Sequence, residues 1–353
     1  MIDERSRAFL DRLLLTPSPS GYEQEVQALV RSFAAELADE VRTDLHGNVI
    51  AVRNPGGRPR ILLDGHCDHI GLLVQHIDDS GFLYVQAIGG WDLMMLLGRA
   101  VVVWTHSGPQ PGVIGRKPKH LLSKEESKKM PKIADLWVDL GIGSAEEVRR
   151  LVRIGDPVTV ELGARELPNG RLAGPKLDNT AGLFVVLETL KRLAAKTFDP
   201  AVFVVSAVQE EIGLRGATTA AYGVDPQVGI GVDVTHATDC PTIDRREHGA
   251  VDLGKGPVLF RGPNVNPVLF DTLCGLASAR ALPYQVKGAP RGTPNDANVL
   301  QLTRAGVATA AIGLPNRYMH TPVEMVALAD LDVAAELIAE LVTTTKTDAG
   351  FTP

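Results

Sequence analysis

The sequence of 353 residues predicts an α/β fold: a mostly parallel central sheet with helices on both faces, interrupted by an inserted small all-β domain. Two observations support this prediction. Helix and strand patterns alternate in both terminal parts of the chain, as expected for parallel strands joined by helical connections. The segment between them contains short, glycine-punctuated apolar runs, which are typical of β-hairpins. We therefore expect a main domain of residues 1–69 and 163–353 and an insertion of residues 70–162.

The first predicted elements are a helix and two buried strands. After TPSPSG, apolar residues recur at helical period from Val26 to Leu37, and Ser20 and Glu23 have the spacing of a capping box. The short apolar runs NVIAV and RILLDGH predict strands that are buried on both faces.

Predicted helices and strands alternate again after the insertion. AGLFVVLETLKRLAA predicts a helix, and VFVVSAV predicts the strand that follows it. VGIGVDV and VATAAIGLP predict two further strands, separated by a helix in NPVLFDTLCGLASAR with Asn266 as N-cap and Pro267 in the first turn. In sheets of this kind, functional sites collect at the carboxyl ends of the strands.

The insertion has a different pattern. GFLYVQAIGG, RAVVVWTHSGPQPGVIG and GDPVTVE predict the hairpins of a small barrel or sandwich. The run RKPKHLLSKEESKKMPK is charged and poor in apolar residues, which favours a mobile surface loop, with a binding loop as the alternative.

Composition disfavours several functional classes. The formal net charge is -6 and no long basic block is present, so we expect no nucleic-acid partner. No apolar run approaches the roughly 18 residues of a membrane span, and the N-terminal stretch MIDERSRAFLDR lacks the apolar core of a secretory signal. We expect no membrane association and a cytoplasmic location. Cys67, Cys240 and Cys274 lack CxxC spacing and are expected to be reduced packing thiols.

Polar residues follow several of the predicted apolar strands. His66 and Asp68 lie two residues apart at the end of one strand, so their side chains should face the same way. Asp178 precedes a predicted helix, Asp233 ends VGIGVDV, and His320 follows the last strand. Any one of these residues could be a turn or capping residue. Together they would repel one another in a single cleft unless divalent cations compensated the charge.

The pair Glu210 and Glu211 is harder to explain as ordinary surface polarity. It follows a fully apolar strand, and buried acids almost never lack a partner. The other histidines have no comparable setting and are expected at the surface or in packing, with His69 and His248 kept as possible groups around a metal site; the rest are His46, His76, His106, His120 and His236.

Five spaced elements, GHCDHIG, GPKLDNTAG, VQEEIGLRGA, GVDVTHATD and PNRYMHTPVEM, resemble in this order the M42 metallo-aminopeptidases of the glutamyl and deblocking aminopeptidase group. The likeness extends to TDLHGNVIA, LWVDLG and LGKGP and covers nearly the whole chain. It implies a zinc-exopeptidase-like main domain and an insertion that mediates dimerisation. It also implies that dimers build a hollow tetrahedral dodecamer.

The resemblance further implies two divalent metal ions per subunit. One would be held by His66, Asp178 and Asp233, and the other by Asp178, Glu211 and His320, with Asp178 bridging. Glu210 would be the general base and Asp68 would orient His66. Nitrogen and oxygen ligands suit zinc, the first expectation, and also cobalt or manganese.

This implied site agrees with elementary chemistry. Two divalent cations, three ligand carboxylates and a bridging hydroxide sum to zero charge, which makes burial of the acids tolerable. A water shared by both metals would attack the scissile carbonyl of a short peptide. A free α-amino group could meet the metals and the nearby acids, which favours aminopeptidase action.

Two positions depart from the family pattern. His69 stands where relatives commonly have an acid, and RGTPNDAN carries extra residues between Thr293 and Asp296. Neither change removes a ligand, but both bear on the substrate pocket, so a side-chain preference is not transferred.

Other functions remain open on the sequence. An N-acyl amino acid or peptide deacylase, or a related amidase, could use the same cluster, and a non-catalytic peptide-binding protein could retain it. Glu210 beside Glu211 argues against binding alone, which would not need the extra acid. A glycosidase is disfavoured because it uses two separated carboxyl groups and no metal cluster.

Overall fold

The computed structural model describes residues 2–353. These residues form strands with the following bounds: β1 Glu40–Thr43, β2 Val49–Arg53, β3 Arg60–His66, β4 Gly71–Ile77, β5 Leu83–Ile88, β6 Ala100–Thr105, β7 Gly108–Gly115, β8 Trp137–Asp139, β9 Pro157–Val160, β10 Arg165–Leu167, β11 Arg171–Gly174, β12 Ala201–Ala207, β13 Val228–His236, β14 Val258–Arg261, β15 Gln285–Gly288, β16 Ala308–Asn316 and β17 Glu324–Ala327.

Helices occupy much of the remaining chain: α1 Glu4–Leu15, α2 Gln24–Ala35, α3 Ala145–Leu151, α4 Leu177–Leu193, α5 Arg215–Val224, α6 Arg245–His248, α7 Pro267–Ala279, α8 Ala297–Gln301 and α9 Leu328–Thr344. Short 3-10 turns cover Leu93–Leu96, Lys119–Leu121, Glu126–Lys128 and Ile133–Asp135.

The central sheet has eight strands in the order β1-β2-β12-β3-β13-β16-β14-β15. Its middle is parallel, since β12 pairs with β3, β3 with β13 and β13 with β16 in the same direction. Toward the edges the sheet is mixed, because β2 and β14 join this parallel core in antiparallel orientation. The parallel core brings the carboxyl ends of β3, β12, β13 and β16 to one edge.

Alternate residues of the central strands enter two separate cores. Ile61 and Leu63 of β3 pack into the larger core, which also contains apolar residues of α1, α2, α4, α7 and α9. Leu62 points to the opposite face, where α5 and the buried Leu300 of α8 cover the sheet. Helices therefore lie on both faces, as expected for strands that are apolar on both sides.

The predicted helices and strands of the main sheet are present, but one local prediction is wrong. Helix α2 begins at Gln24 without a side-chain cap, so Ser20 and Glu23 do not form a capping box. The Ser20 hydroxyl donates instead to Asp68 at 2.7 Å. At α7 the prediction is confirmed, because the Asn266 side chain accepts from the Leu269 N–H and Pro267 lies in the first turn.

The segment that links β3 to β10 closes into a six-stranded barrel in the order β4-β5-β8-β7-β6-β9. The barrel has its own hydrophobic core, which includes Leu72, Val103, Val138 and Val158. Of the two architectures expected here, the barrel is the one formed. The charged run after β7 is largely exposed and carries only short 3-10 turns.

Two smaller findings concern cysteines and membranes. Cys67, Cys240 and Cys274 are all free thiols, as predicted. None of the helices within residues 2–353 has the length and hydropathy that crossing a bilayer demands.

Candidate metal centre

The predicted site residues converge at the carboxyl edge of the parallel strands. His66 ends β3, Glu210 and Glu211 follow β12, and Asp233 lies near the end of β13. Asp178 opens α4, where its backbone angles are still non-helical, and the peptide bond to Asn179 is cis. His320 follows β16.

A close crossing of α4 over β3 places Asp178 beside His66. A methyl group on Gly65 would lie 2.8 Å from the backbone of Gly182, and one on Gly182 would lie 2.4 Å from the carbonyl oxygen of Val232. Side chains at these two glycines would therefore push the helix off the sheet. The glycines allow the start of the helix to reach the end of the strand.

The converging side chains form two groups that share Asp178. Ligand atoms of His66, Asp178 and Asp233 lie within 4.8 Å of one another, and so do those of Asp178, Glu211 and His320. His66 Nε2 lies 3.5 Å from Asp178 Oδ1 and 3.7 Å from Asp233 Oδ1. His320 Nε2 lies 3.3 Å from Asp178 Oδ2 and 3.4 Å from Glu211 Oε2.

Both imidazole rings are held with Nε2 toward the carboxylates. His66 Nδ1 donates to the backbone carbonyl of Asp68 at 3.1 Å, and His320 Nδ1 donates to the carbonyl of Gly90 at 2.9 Å. Because a carbonyl can only accept, Nδ1 of each ring carries a proton, and Nε2 is the nitrogen that would bind a metal. Gly90 belongs to the segment between β5 and β6, so this part of the barrel helps to orient His320.

Two buried polar atoms without hydrogen-bond partners also indicate that the site residues fit a divalent metal ion. His66 Nε2 and Glu211 Oε1 are buried and have no hydrogen-bond partner among residues 2–353. Buried polar atoms without partners are costly. His66 Nε2 faces Asp178 and Asp233, and the other oxygen of Glu211, Oε2, faces His320, so both unpartnered atoms belong to side chains of the two groups. Imidazole nitrogens and carboxylate oxygens form a donor set suited to zinc, cobalt or manganese.

The pKa shifts of the site residues also favour a bound cation. Burial and the neighbouring Asp233 raise the pKa of Glu210 to about 10, although His66 opposes the shift. Burial and Asp178 raise the pKa of Glu211 well above its ordinary value. Burial by itself lowers the pKa of His66. Glu210 and the other carboxylates raise it by more than burial lowers it, so the net shift is upward. Without cations, these acids would have to take up protons.

Asp68 makes its firm contacts with the loop that carries the two glutamates. Its carboxylate accepts from the Glu210 N–H at 3.0 Å, from the Glu211 N–H at 3.2 Å and from Ser20 Oγ at 2.7 Å. The distance from its Oδ1 to His66 Nδ1 is 3.5 Å, longer than the bond from the ring to the Asp68 backbone carbonyl. The Asp68 carboxylate thus positions the glutamate loop more strongly than it positions the ring.

Glu324 was missed by the sequence reasoning. Its two oxygens accept hydrogen bonds from the backbone N–H groups of Asp178 at 2.7 Å and of His320 at 2.9 Å. The signal available in the sequence was an acid four residues after His320, within the run PNRYMHTPVEM.

A second missed feature is the buried pair Asp64 and Asp296. Burial raises the pKa of Asp64 to about 7, and burial together with the neighbouring Asp64 raises the pKa of Asp296 well above its ordinary value. All four carboxylate oxygens of the pair are buried and have no hydrogen-bond partner among residues 2–353. Asp64 precedes His66 by two residues on β3, so its charge in an otherwise apolar strand was the available signal.

His69 and His248, expected as possible groups around the metal site, contact residues other than the candidate ligands. His69 is buried and fixes a local turn, accepting from the Ser18 N–H at 3.2 Å and donating to the Ile70 carbonyl at 2.7 Å. His248 is exposed and lies 3.7 Å from Glu247. His236, expected only at the surface or in packing, lines the cavity beside the candidate ligands.

Fold and site together define a metallohydrolase of the α/β class. Histidines and carboxylates meet at the carboxyl edge of the sheet, next to a cavity of about 640 Å³. The sequence pattern of the M42 glutamyl aminopeptidase family matches residues 47–337. The chain belongs to the M42 family and is a metal-dependent aminopeptidase.

Individual relatives agree over nearly the full chain. The lysyl aminopeptidase of Pyrococcus furiosus is 38% identical over 351 residues, covering 98% of each chain. The TET aminopeptidase from Thaumarchaeota archaeon SCGC AB-539-E09 has a TM-score of 0.92 and 34% identity, covering 97% of this chain and 96% of that one. The TET1 peptidase of Pyrococcus horikoshii has a TM-score of 0.86 and 30% identity, covering 96% of this chain and 100% of that one, and can assemble into a tetrahedron or a large octahedral shell.

Proposed function

We propose that this protein is a dinuclear metallo-aminopeptidase that removes N-terminal residues from short peptides. The observation that carries the proposal is the pair of ligand groups joined by Asp178. His66, Asp178 and Asp233 would hold one divalent ion, and Asp178, Glu211 and His320 would hold the other. Zinc is the first candidate, with cobalt or manganese as alternatives.

The metals, when bound, would supply Lewis acidity toward the scissile carbonyl and would lower the pKa of a bound water. Glu210 is proposed as the general base. It is nearly buried, lines the cavity and lies 3.8 Å from His66 Nε2 through its Oε2. From there it would accept the proton of the attacking water and pass it to the leaving amine. Asp68 would hold the backbone of Glu210 and Glu211 in register with the other ligands.

The proposed action on a free N-terminus has a physical basis. A protonated α-amino group is attracted to Glu210, the acid of the cavity lining whose charge the two proposed metal ions do not compensate. An acylated amine carries no charge and gains nothing from this acid. We therefore expect cleavage to require an unblocked N-terminal residue.

We also propose a domain organisation, an assembly and a cellular location for the protein. We propose that residues 1–69 and 163–353 form the catalytic domain and that residues 70–162 form a dimerisation domain. Dimers would assemble further, up to a tetrahedral dodecamer, in a cytoplasmic protein. The assembling TET1 relative supports this part of the proposal, and light scattering on the purified protein tests it.

The decisive experiment compares amino-acyl p-nitroanilides with their N-acetylated counterparts, after metal has been removed and zinc, cobalt or manganese restored. Metal-dependent cleavage of only the free-amine substrates supports the aminopeptidase. Cleavage of the acetylated set would favour a deacylase or related amidase instead. Failure to cleave either set with metal bound would favour a peptide-binding role.

A further inference from the structure

The loop between β12 and α5 carries both glutamates and is held by side chains from other parts of the chain. Successive N–H groups of this glutamate loop, residues 208–211, all donate to side-chain oxygens. These hydrogen bonds join Val208 to Asn48 at 3.0 Å, Gln209 to Glu23 at 3.2 Å, Glu210 to Asp68 at 3.0 Å and Glu211 to Asp68 at 3.2 Å. The conformation of the loop is therefore set by segments that are distant in sequence.

Gln209 has a backbone conformation that depends on such contacts. Its φ is 57°, in the left-handed region that residues other than glycine seldom adopt. A conformation of this kind costs free energy and persists where surrounding contacts fix it. The hydrogen bond from the Gln209 N–H to Glu23 is one of these contacts. Since Glu210 is the next residue, the direction of its side chain depends on this turn.

Glu23 is well placed to hold the glutamate loop. It immediately precedes α2 and is buried. Its Oε1 accepts from the N–H of Gly21 at 2.8 Å as well as from the N–H of Gln209, so the carboxylate joins its own segment to the loop. One helical turn later, Gln27 Nε2 donates to the carbonyl oxygen of Ser206 at 2.8 Å. The start of α2 therefore contacts both the end of β12 and the loop that follows it.

The segment before α2 is itself fixed at the end of β3. The N–H of His69 donates to the carbonyl oxygen of Ser18 at 3.1 Å, and the N–H of Ser20 donates to the carbonyl oxygen of His69 at 3.3 Å. The Ser20 hydroxyl adds its bond to Asp68. Because β3 ends at the proposed ligand His66, this segment has a defined position relative to the metal site.

The chemistry required at position 23 is an acceptor oxygen. Burial raises the pKa of Glu23 to about 7, while hydrogen bonds from the N–H groups of Gly21 and Gln209 oppose the shift. A carboxylate and a neutral carboxyl group both offer an oxygen to these N–H groups. Glutamine would offer one as well, whereas an apolar side chain would leave both N–H groups without this partner.

We propose that Glu23 is a positioning residue for the general base Glu210. It holds the N–H of Gln209 and, with it, the turn that directs the Glu210 side chain to the cavity. This inference rests on the proposed function, in which Glu210 accepts the proton of the attacking water. Glu23 does not line the cavity, and its hydrogen bonds within residues 2–353 go to no candidate ligand. Its effect on catalysis therefore passes through the backbone of the loop.

The first test removes the acceptor oxygens. Glu23→Met keeps the length of the side chain, and we expect kcat of the zinc-saturated enzyme to fall about 10- to 100-fold, because a small displacement of a catalytic group has an effect of this size. The substrate is the amino-acyl p-nitroanilide that the wild type cleaves fastest. Glu23→Gln keeps an acceptor oxygen and should restore kcat to within about threefold of wild type.

A second substitution shows whether the effect passes through Glu210. Substitutions that act through one group are not additive. In the Glu210→Gln background, Glu23→Met should therefore lower the residual kcat by no more than about threefold. A purely structural role of Glu23 would lower kcat by the same factor in both backgrounds.

The matched control is a buried carboxylate elsewhere in the chain. Asp330 also accepts from two backbone N–H groups, those of Gly254 and Gly256, and it does not line the cavity. Asp330→Leu should lower the melting temperature but leave kcat of the metal-loaded enzyme within about twofold of wild type. Glu23→Asp is the second variant in case Glu23→Met does not fold. It keeps the charge but is one methylene shorter, so kcat should still fall, by about threefold or more.

The outcomes separate the positioning role from the proposed function. Wild-type kcat in a folded Glu23→Met or Glu23→Asp variant overturns the positioning role and leaves the aminopeptidase intact. Equal losses in the wild-type and Glu210→Gln backgrounds also overturn it, because Glu23 would then act independently of Glu210. If Glu210→Gln alone keeps wild-type turnover, the proposed base fails. If the metal-loaded wild type cleaves no free-amine anilide, the proposed function itself fails.

Discussion

Glu324 accepts a hydrogen bond from the backbone N–H of Asp178 at 2.7 Å, across 146 positions of sequence. Its second oxygen accepts from the N–H of His320 at 2.9 Å. A single buried carboxylate thus fixes the backbone of the proposed bridging ligand and of a ligand from another loop. Because it touches neither imidazole nor the bridging carboxylate, its role is to position them.

Substitution of Glu324 should therefore weaken metal binding. Glu324→Gln offers only one acceptor oxygen where two amides donate, and we expect metal affinity to fall about 10- to 100-fold. Calorimetric titration of the metal-free protein measures this. Asp330→Asn is the matched control, because buried Asp330 likewise accepts from two backbone amides, of Gly254 and Gly256, outside the ligand groups. Equal metal affinity in both variants would contradict the positioning role.

Glu210→Gln should separate catalysis from metal binding. The side chain is proposed as a base and not as a ligand, so we expect metal content to stay at the wild-type value while kcat falls about 10²- to 10⁴-fold. Elemental analysis and steady-state kinetics on the same preparation check both. Glu211→Gln is the neighbouring control and should lose metal. Turnover near the wild-type value in Glu210→Gln would show that another group is the base.

His320→Ala should empty one of the two proposed sites. The group of Asp178, Glu211 and His320 loses its nitrogen ligand, whereas the group that contains His66 stays intact. We expect the metal content to fall from two equivalents per subunit toward one. The control is His248→Ala, at an exposed histidine. Full occupancy in His320→Ala would contradict the assignment of this ligand.

Removal of metal should destabilise the folded protein. Burial raises the pKa of Glu210, Glu211 and Asp233 in the absence of cations, which is the signature of uncompensated carboxylates. Zinc at 100 times its dissociation constant should add about 2.7 kcal/mol to the free energy of unfolding for each site that it occupies. Thermal melting of chelated and zinc-loaded samples measures the difference, and coincident melting curves would argue against binding in this cluster.

Glu23 should make stability depend on pH in the metal-free protein. Burial raises its pKa from 4.5 to about 7, although backbone hydrogen bonds oppose the shift. A raised folded-state pKa means that the contribution to stability is complete below about pH 4.5 and is lost as pH rises through about 7. Glu23→Gln stays neutral, so it should be more stable than wild type above pH 7, by on the order of 1 kcal/mol.

Denaturant midpoints across this range test the Glu23 prediction. The exposed Glu25, in the first turn of α2, provides the control variant Glu25→Gln, which should follow the wild-type pH profile. Parallel profiles of stability against pH for all three proteins would contradict the prediction, because they would mean that the pKa of Glu23 is the same in the folded and the unfolded state.

The sequence alone determined the α/β class and the residues that gather at the edge of the sheet. Strands such as RILLDGH and VGIGVDV are recognisable because apolar runs and turn residues are local signals, and the chemistry that follows each strand is local as well. Parallel strands must then bring their carboxyl ends together, so the meeting of His66, Glu211 and Asp233 follows from topology.

Only the tertiary structure decided the contacts that hold and surround those residues. Ser20 bonds to Asp68 instead of capping a helix, and the Gly90 carbonyl orients His320 from 230 positions away. Lys287 reaches the cavity from β15, which pairs only with β14 in the central sheet. These hydrogen-bond partners come from segments that are distant in sequence. A polar side chain bonds to the donor or acceptor that the folded structure places beside it. No periodic pattern in the chain encodes that choice.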